Sequence, residues 1–337
     1  MKRPPQSIAV ARQTQPAASL HVNRVVFHKR LLAWYDQNSR DLPWRHDRDP
    51  YRVWLSEIML QQTRVAAVID HYQRFLRRFP TVEKLAAARA PSVLAAWSGL
   101  GYYRRARMLH AAARKIVKDY GGQFPATSES LRALPGIGRY TAAAVASIAF
   151  GEPAAVVDGN VERVLQRLAG RNLQEDELWT AAKVLLARSR PGDFNQAMME
   201  LGATVCLPRS PACPACPVMH LCATRGELRN QKKELRRKRE IHYAFDCEDG
   251  SVVLVQRPAS ASLMPGMWEL PELAGGNGTH TPWLTLRHSI TVTDYVVRVA
   301  KCPAPPESPG RRVPPSRLPA LPLTGLARKI LRAAKVI

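Results

Sequence analysis

Apolar residues recur at helical spacing from Val22 to about Thr224, and at strand spacing after that. "YRVWLSEIMLQQTRVAAVIDHYQRFLRRF" carries a long helical period. "PSVLAAWSGLGYYRRARMLHAAARKIVKDYGG" reads as two helices joined near Gly99 to Tyr103, the second stopped by Gly121-Gly122. "TSESLRAL" opens with capping residues. In "VERVLQRLAG", Val161, Val164, Leu165 and Leu168 fall on one helical face and Gly170 ends the run. No strand is predicted before residue 225. The pattern then changes. "IHYAFDCEDGSVVLVQRP" predicts a hairpin turning at Asp249-Gly250, and "DYVVRVA" a further strand. Eight prolines between Pro303 and Pro322 mark a loop, and "TGLARKILRAAKVI" closes as a short amphipathic helix. The expected domains are therefore 23–224, helical, and 241–337, a smaller α/β domain. Residues 1–22 are expected to be disordered. Residues 225–240, with eight basic and three acidic side chains, read as a basic linker.

Charge adds a partner class to this picture. The 337 residues hold 50 Lys and Arg against 27 Asp and Glu, a formal charge of +23. So basic a chain most often meets a polyanion, usually nucleic acid. No run of about 18 apolar residues is present to span a membrane, and the N-terminus lacks the apolar core of a signal peptide. A cytoplasmic protein, bacterial and held at the nucleoid by DNA, is the expectation.

Four of the six cysteines form "CLPRSPACPACPVMHLC", with Cys206, Cys213, Cys216 and Cys222 spaced C-x6-C-x2-C-x5-C. Without export signals, clustered cysteines point to metal before disulfides. Four thiolates on one proline-stiffened loop suit an iron–sulfur cube or a tetrahedral zinc, with His220 an alternative ligand. Cys247 and Cys302 lie apart from them.

In "LPGIGRYTA", Gly136 and Gly138 permit positive φ and close approach by another backbone. Their amides, beside the start of the helix "TAAAVASIAFG", suit a phosphate, as in a helix–hairpin–helix clamp over 127–150. Glu57 has Val53, Trp54, Leu60 and Gln61 as helical neighbours. An acid on that apolar face gains pKa by desolvation and suits a general acid near neutral pH. Asp158, in "VVDGNVERVL", precedes a periodic helix, where capping is the ordinary role. A neutral and an ionised carboxyl together form the pair that cleaves glycosidic bonds.

Taken together, "SEIMLQQT", "GLGYYRRA", "LPGIGRYTAAAV", "VDGNVERVL" and "FNQAMMELGATVC" resemble the adenine-glycosylase (MutY) branch of the endonuclease III superfamily of DNA glycosylases. The close match covers residues 25 to 225; the C-terminal part resembles more weakly a Nudix-like lesion-sensing domain, without the metal-binding glutamates of Nudix hydrolases. The resemblance implies a multi-domain, mainly α chain: two helical lobes with the active cleft between them, an iron–sulfur loop at 206–222, then a smaller α/β domain. It implies a monomeric, monofunctional enzyme that removes adenine mispaired with 8-oxoguanine (or guanine) in double-stranded DNA, and a [4Fe–4S] cluster on the four clustered cysteines. Glu57 is then the acid that protonates adenine N7, and Asp158 the carboxylate that stabilises the sugar cation. Tyr140 and Asn160 support them, with the Tyr140 hydroxyl expected beside Asp158. Arg45 contacts the flipped base. Gln62, Leu100 and Tyr102 fill the gap in the stack and touch 8-oxoguanine. Tyr140 stands where related lyases carry lysine, so Schiff-base chemistry is unavailable there. Two rivals are a non-catalytic metal-cluster DNA-binding protein and a glycosylase/lyase acting on oxidised pyrimidines.

One departure stands out. The Phe-Ser-His that such proteins commonly carry in a C-terminal hairpin aligns with Ile290-Thr291-Val292. Thr291 keeps a hydroxyl and is the expected contact, but Val292 cannot donate as histidine does. Reading of the lesion moves to His288 or Ser289, or is lost.

Overall fold

A computed structural model describes residues 22–228, 237–261, 263–273, 280–290, 293–308 and 310–337. The chain divides into two compact units. One combines the segment ending at Ser39 with Pro153–Arg229; the other combines Arg40–Glu152 with Asn230–Ile337. The helical stretch that reads as one run in the sequence therefore contributes to both.

The first unit is built on helices Arg24–Asn38, Gly159–Ala169, Glu175–Leu185 and Pro191–Thr204. Their ends follow local chemistry. Asn23 accepts from the Val26 amide, Gln174 and Glu177 form a capping box, and Pro191 occupies a first-turn position that needs no donor. Phe27 and Phe194 meet in its core, with ring centroids 6.1 Å apart.

The helical part of the second unit centres on Pro50–Leu60, begun by Asp49, whose side chain accepts from the Arg52 amide. Tyr51 and the run from Val53 to Met59 are all buried. An element apolar on every side becomes the centre of a core, and helices Val65–Arg78, Arg104–Tyr120 and Arg139–Phe150 pack around it. The helical period was therefore a sound guide here. Ser128–Leu131 and Arg139–Phe150 form the two arms of the predicted helix–hairpin–helix.

The C-terminal region departs from its expected pairing. Arg237–Ala244 is a strand, and it runs parallel to Thr293–Ala300, which pairs antiparallel with Leu284–Ile290. The hairpin predicted within 241–258 is therefore shorter than expected. Only Cys247–Glu248 turns back on Ser251–Gln256, through Asp249 and Gly250 at φ +49° and +72°. The local turn forms where its glycine predicts it; the preceding segment instead pairs with a strand 56 residues further along the chain, Arg237 opposite Thr293. Ser251–Gln256 also pairs with Trp268–Glu269 and Arg311–Val313. Helix Gly325–Ala333 covers a core that includes Val252, Leu254, Val297, Val299, Ile330 and Leu331.

Candidate active site

Glu57 lies in the buried Pro50–Leu60 helix and is 6% exposed. Mid-helix backbone amides are committed to the helix, so a carboxyl there must find side-chain partners. Tyr140, in the first turn of Arg139–Phe150, donates its hydroxyl to Glu57 Oε2 at 2.7 Å. Tyr140 is thus a support of one of the two carboxyls, as the resemblance implies; its hydroxyl donates to Glu57, whereas the sequence placed that hydroxyl beside Asp158. Nearby, Gln61 Nε2 donates to Thr141 Oγ1 at 3.2 Å, tying the two helices together again.

Asp158 is placed by different means. It is the N-cap of Gly159–Ala169, and its Oδ1 accepts from the amides of Asn160 (3.0 Å) and Val161 (2.7 Å). The Asn160 side chain donates to Oδ2 at 3.1 Å. Burial pushes the Asp158 carboxyl above its ordinary range, while these three donors and the Arg163 charge offset part of the rise. The ordinary capping role is therefore observed for this side chain. Gly202, on Pro191–Thr204, lets that helix approach closely: a β-carbon there would lie 2.6 Å from the Asn160 β-carbon. Arg163 extends the arrangement, donating to Asn160 Oδ1 (2.8 Å), Gly202 O (2.7 Å) and Cys206 O (2.7 Å).

All four clustered cysteines are free thiols. One turn on from Arg163, Arg167 donates to Cys206 Sγ at 3.2 Å, and to the carbonyls of Leu207 (2.7 Å) and Pro208 (3.0 Å). Burial, reinforced by the other three thiols, pushes Cys216 up to about 11; burial and its neighbours Cys222 and Cys206 also raise Cys213. Among the described residues no three His, Cys, Asp or Glu side chains gather tightly enough to hold a single metal ion.

In the helix–hairpin–helix turn the two glycines differ. Gly136 has φ +74°, and a β-carbon there would lie 2.5 Å from that of Met108, so both conformation and space demand glycine. Gly138 has φ −86°, and a β-carbon built on it meets nothing within 4 Å. It does not need the left-handed freedom expected of it; as N-cap it leaves the helix's first amides unobstructed by a side chain.

A cavity of about 1050 Å³ gathers several of the other residues singled out. Gln62, Leu100 and Tyr102 line it, and so do His288 and Ser289 from the C-terminal region. Leu100 is buried, whereas Tyr102 is 42% exposed. The C-terminal region grips the turn that bears them: Tyr103 and Ser98 donate their hydroxyls to Leu323 O at 2.6 and 3.0 Å, and Arg328 Nε donates to Ser98 Oγ at 3.1 Å. Burial, with the Lys329 charge, holds His288 below the ordinary imidazole range. The expected contact Thr291, and Val292, lie outside the described residues. Arg45 ends a short 3₁₀ turn, Pro43–Arg45, and donates to Arg40 O at 3.1 Å; it does not line this cavity. Three residues that organise these parts escaped sequence reasoning: Arg105, Arg163 and Gly202. Arginines and a glycine in helical runs carry no local mark of such a role.

Residues 55–187 match the profile described as "HhH-GPD superfamily base excision DNA repair protein". The chain is 42% identical over 311 residues to the adenine DNA glycosylase of Mus musculus, covering 73% of this chain and 60% of that one. It is 32% identical over 321 residues to the adenine DNA glycosylase of Schizosaccharomyces pombe, covering 74% of this chain and 70% of that one. A solved thermostable thymine-DNA glycosylase superposes with a TM-score of 0.57 at 35% identity, covering 60% of this chain and 96% of its own. The chain thus spans about 60% of the length of the mouse relative.

Proposed function

We propose that this chain, which belongs to the HhH-GPD superfamily of base excision DNA repair proteins, hydrolyses the N-glycosidic bond of adenine mispaired with 8-oxoguanine or guanine in duplex DNA. The observation that carries the reading is the contrast between its two carboxyls: Glu57 buried in mid-helix with a phenol on it, and Asp158 held by three donors at a helix start. The target base leaves the stack, since its bond is out of reach inside it. Glu57 gives its proton to adenine N7, and Tyr140 holds the carboxyl for that transfer. Adenine departs neutral, leaving an oxocarbenium-like sugar. Asp158, ionised, stabilises that cation, and its capping donors keep it aimed. Glu57, now a base, activates the water that completes hydrolysis. Tyr140 offers no amine for a Schiff base, so the chain removes the base and leaves the strand intact.

The 1050 Å³ cavity is assigned to the partner base. Gln62, Leu100, Tyr102, His288 and Ser289 line it. With valine at position 292, His288 is the hydrogen-bonding side chain that takes over lesion reading.

The loop Cys206, Cys213, Cys216 and Cys222 is assigned a [4Fe–4S] cluster. Its donor set fits: four free thiols on one loop, near enough that Cys206 and Cys222 help raise Cys213 and Cys216. A cube offers a separate iron to each thiolate and so accepts a wider spread than one zinc ion does. When bound, the cluster supplies a redox-capable centre and a rigid fold for the loop.

A panel of duplexes varying both the excised base and its partner tests the assignment under single turnover, read without and with alkaline strand cleavage. Abasic product only from adenine, and strand breaks only after alkali, are expected. No abasic product from adenine opposite 8-oxoguanine overturns it. Iron content with broad visible absorption tests the cluster; zinc in its place overturns that assignment.

A further inference from the structure

Two short turns carry Gln62, Leu100 and Tyr102, three of the residues assigned to the partner base, and both contain left-handed backbone. Gln62 has φ +54°, Gly99 +109°, Gly101 +70° and Tyr102 +48°. Such a conformation is unfavourable for a non-glycine residue, so something must hold Gln62 and Tyr102 there.

Arg105 does. Its Nη1 donates to the carbonyls of Ile58 (2.8 Å), Met59 (3.0 Å) and Gln61. Its Nη2 donates to Thr63 Oγ1 (3.1 Å) and to the carbonyls of Leu100 (3.2 Å) and Gly101 (3.5 Å). The guanidinium lies 5.5 Å from the Trp97 ring centroid and 5.4 Å from that of Tyr102. Ile58 and Met59 are in the last turn of Pro50–Leu60, where carbonyls have no helical donor and the helix dipole favours a cation. Arg105 therefore satisfies the end of the helix that bears Glu57 and ties it to both turns. Burial lowers it to about 10, which leaves it charged at neutral pH. Its Nε is buried without a partner, so the two Nη atoms carry the clamp.

We propose that Arg105 is the positioning residue for partner-base recognition: its fork locks the 61–63 and 99–102 turns into one piece, setting Gln62, Leu100 and Tyr102 for the base opposite adenine. This inference rests on the function proposed above. Lysine keeps the charge but presents a point, not a planar fork that spans two turns.

The test uses the full chain with Arg105→Lys. Single-turnover excision of adenine opposite 8-oxoguanine and opposite guanine gives a discrimination ratio. The variant is expected to lower that ratio about tenfold, the weight of one well-placed hydrogen bond. A merely structural defect lowers both rates together and leaves the ratio alone. An unchanged ratio in a folded Arg105→Lys protein overturns the proposal. Should that variant fail to fold, Thr63→Val removes one acceptor from the clamp. A ratio lowered about threefold supports the proposal, and an unchanged one overturns it. A 2-aminopurine beside the mispair adds a readout independent of excision. Its fluorescence should rise on wild-type binding and rise less with either variant; equal rises overturn the clamp. Absence of wild-type excision overturns the proposed function instead, which separates the two failures.

Discussion

The two carboxyls proposed for catalysis are built by opposite local physics. Glu57 sits in mid-helix, where every nearby amide already serves the helix, and the hydroxyl on it comes from another helix, through Tyr140. Asp158 sits at a helix start, where unpaired amides are plentiful, and it takes two of them plus the Asn160 side chain. At Glu57 the helix's own amides are committed and a hydroxyl comes from a second helix. The surroundings of Asp158 are rich in donors and suit a group that must stay charged despite burial. Placement along a helix thus gives two chemically similar side chains different partners.

The sharpest way to break that contrast is Glu57→Gln. It keeps the shape and removes the proton, and single-turnover excision should fall by at least about a thousandfold, the upper range for a general acid. Asp158→Asn should lower excision by about a hundredfold or more while raising the melting temperature at neutral pH. The sign follows from its raised pKa. A carboxyl that binds its proton more tightly when folded opposes folding once ionised, so its cost is full above the raised pKa. That cost shrinks as pH falls through the raised value and vanishes below the ordinary carboxylate value. The stability gain of Asp158→Asn should therefore disappear in acid melts; a gain independent of pH would falsify the desolvation account.

Gly202→Ala probes the support behind Asp158. Its β-carbon would meet Asn160 at 2.6 Å, and helices this close yield by shifting. A loss of about 1–3 kcal/mol in stability and about tenfold in excision is expected, measured by denaturant melts and single turnover. Tyr140→Phe removes one hydroxyl donated to Glu57 and should cost about five- to tenfold in rate with little change in melting. The smallest effect is set for Gly138→Ala. With φ −86° and open space around the β-carbon, it should fold as well as the parent. Any loss should fall on duplex affinity, read by fluorescence anisotropy.

Much of this was legible in the chain. Glu57 stood out as an acid on an apolar face, and it is buried. Asp158 stood out as a cap, and it caps. The hinge in "GLGYYRRA" and the turn at Asp249-Gly250 were marked by glycine, and positive φ is found at both. What was not legible concerns partners. Nothing in "YYRRAR" distinguishes Arg105, clamped on six oxygens, from its neighbour Arg104. Nothing near Arg237–Ala244 says that its neighbour is Thr293–Ala300 rather than the segment just after it.

The sequence by itself determined where most helices are capped or ended, which acids fall on an apolar face or at a helix start, and which cysteines group together. Those properties act over a few residues, through caps, glycines, proline and apolar period. Only the tertiary structure decided that the segment before Ser39 joins Pro153–Arg229, that Gly202 makes room for Asn160, and that one guanidinium binds two distant turns. Each of these depends on the distance between groups far apart in the chain, which is fixed by how the cores pack and leaves no period or motif behind.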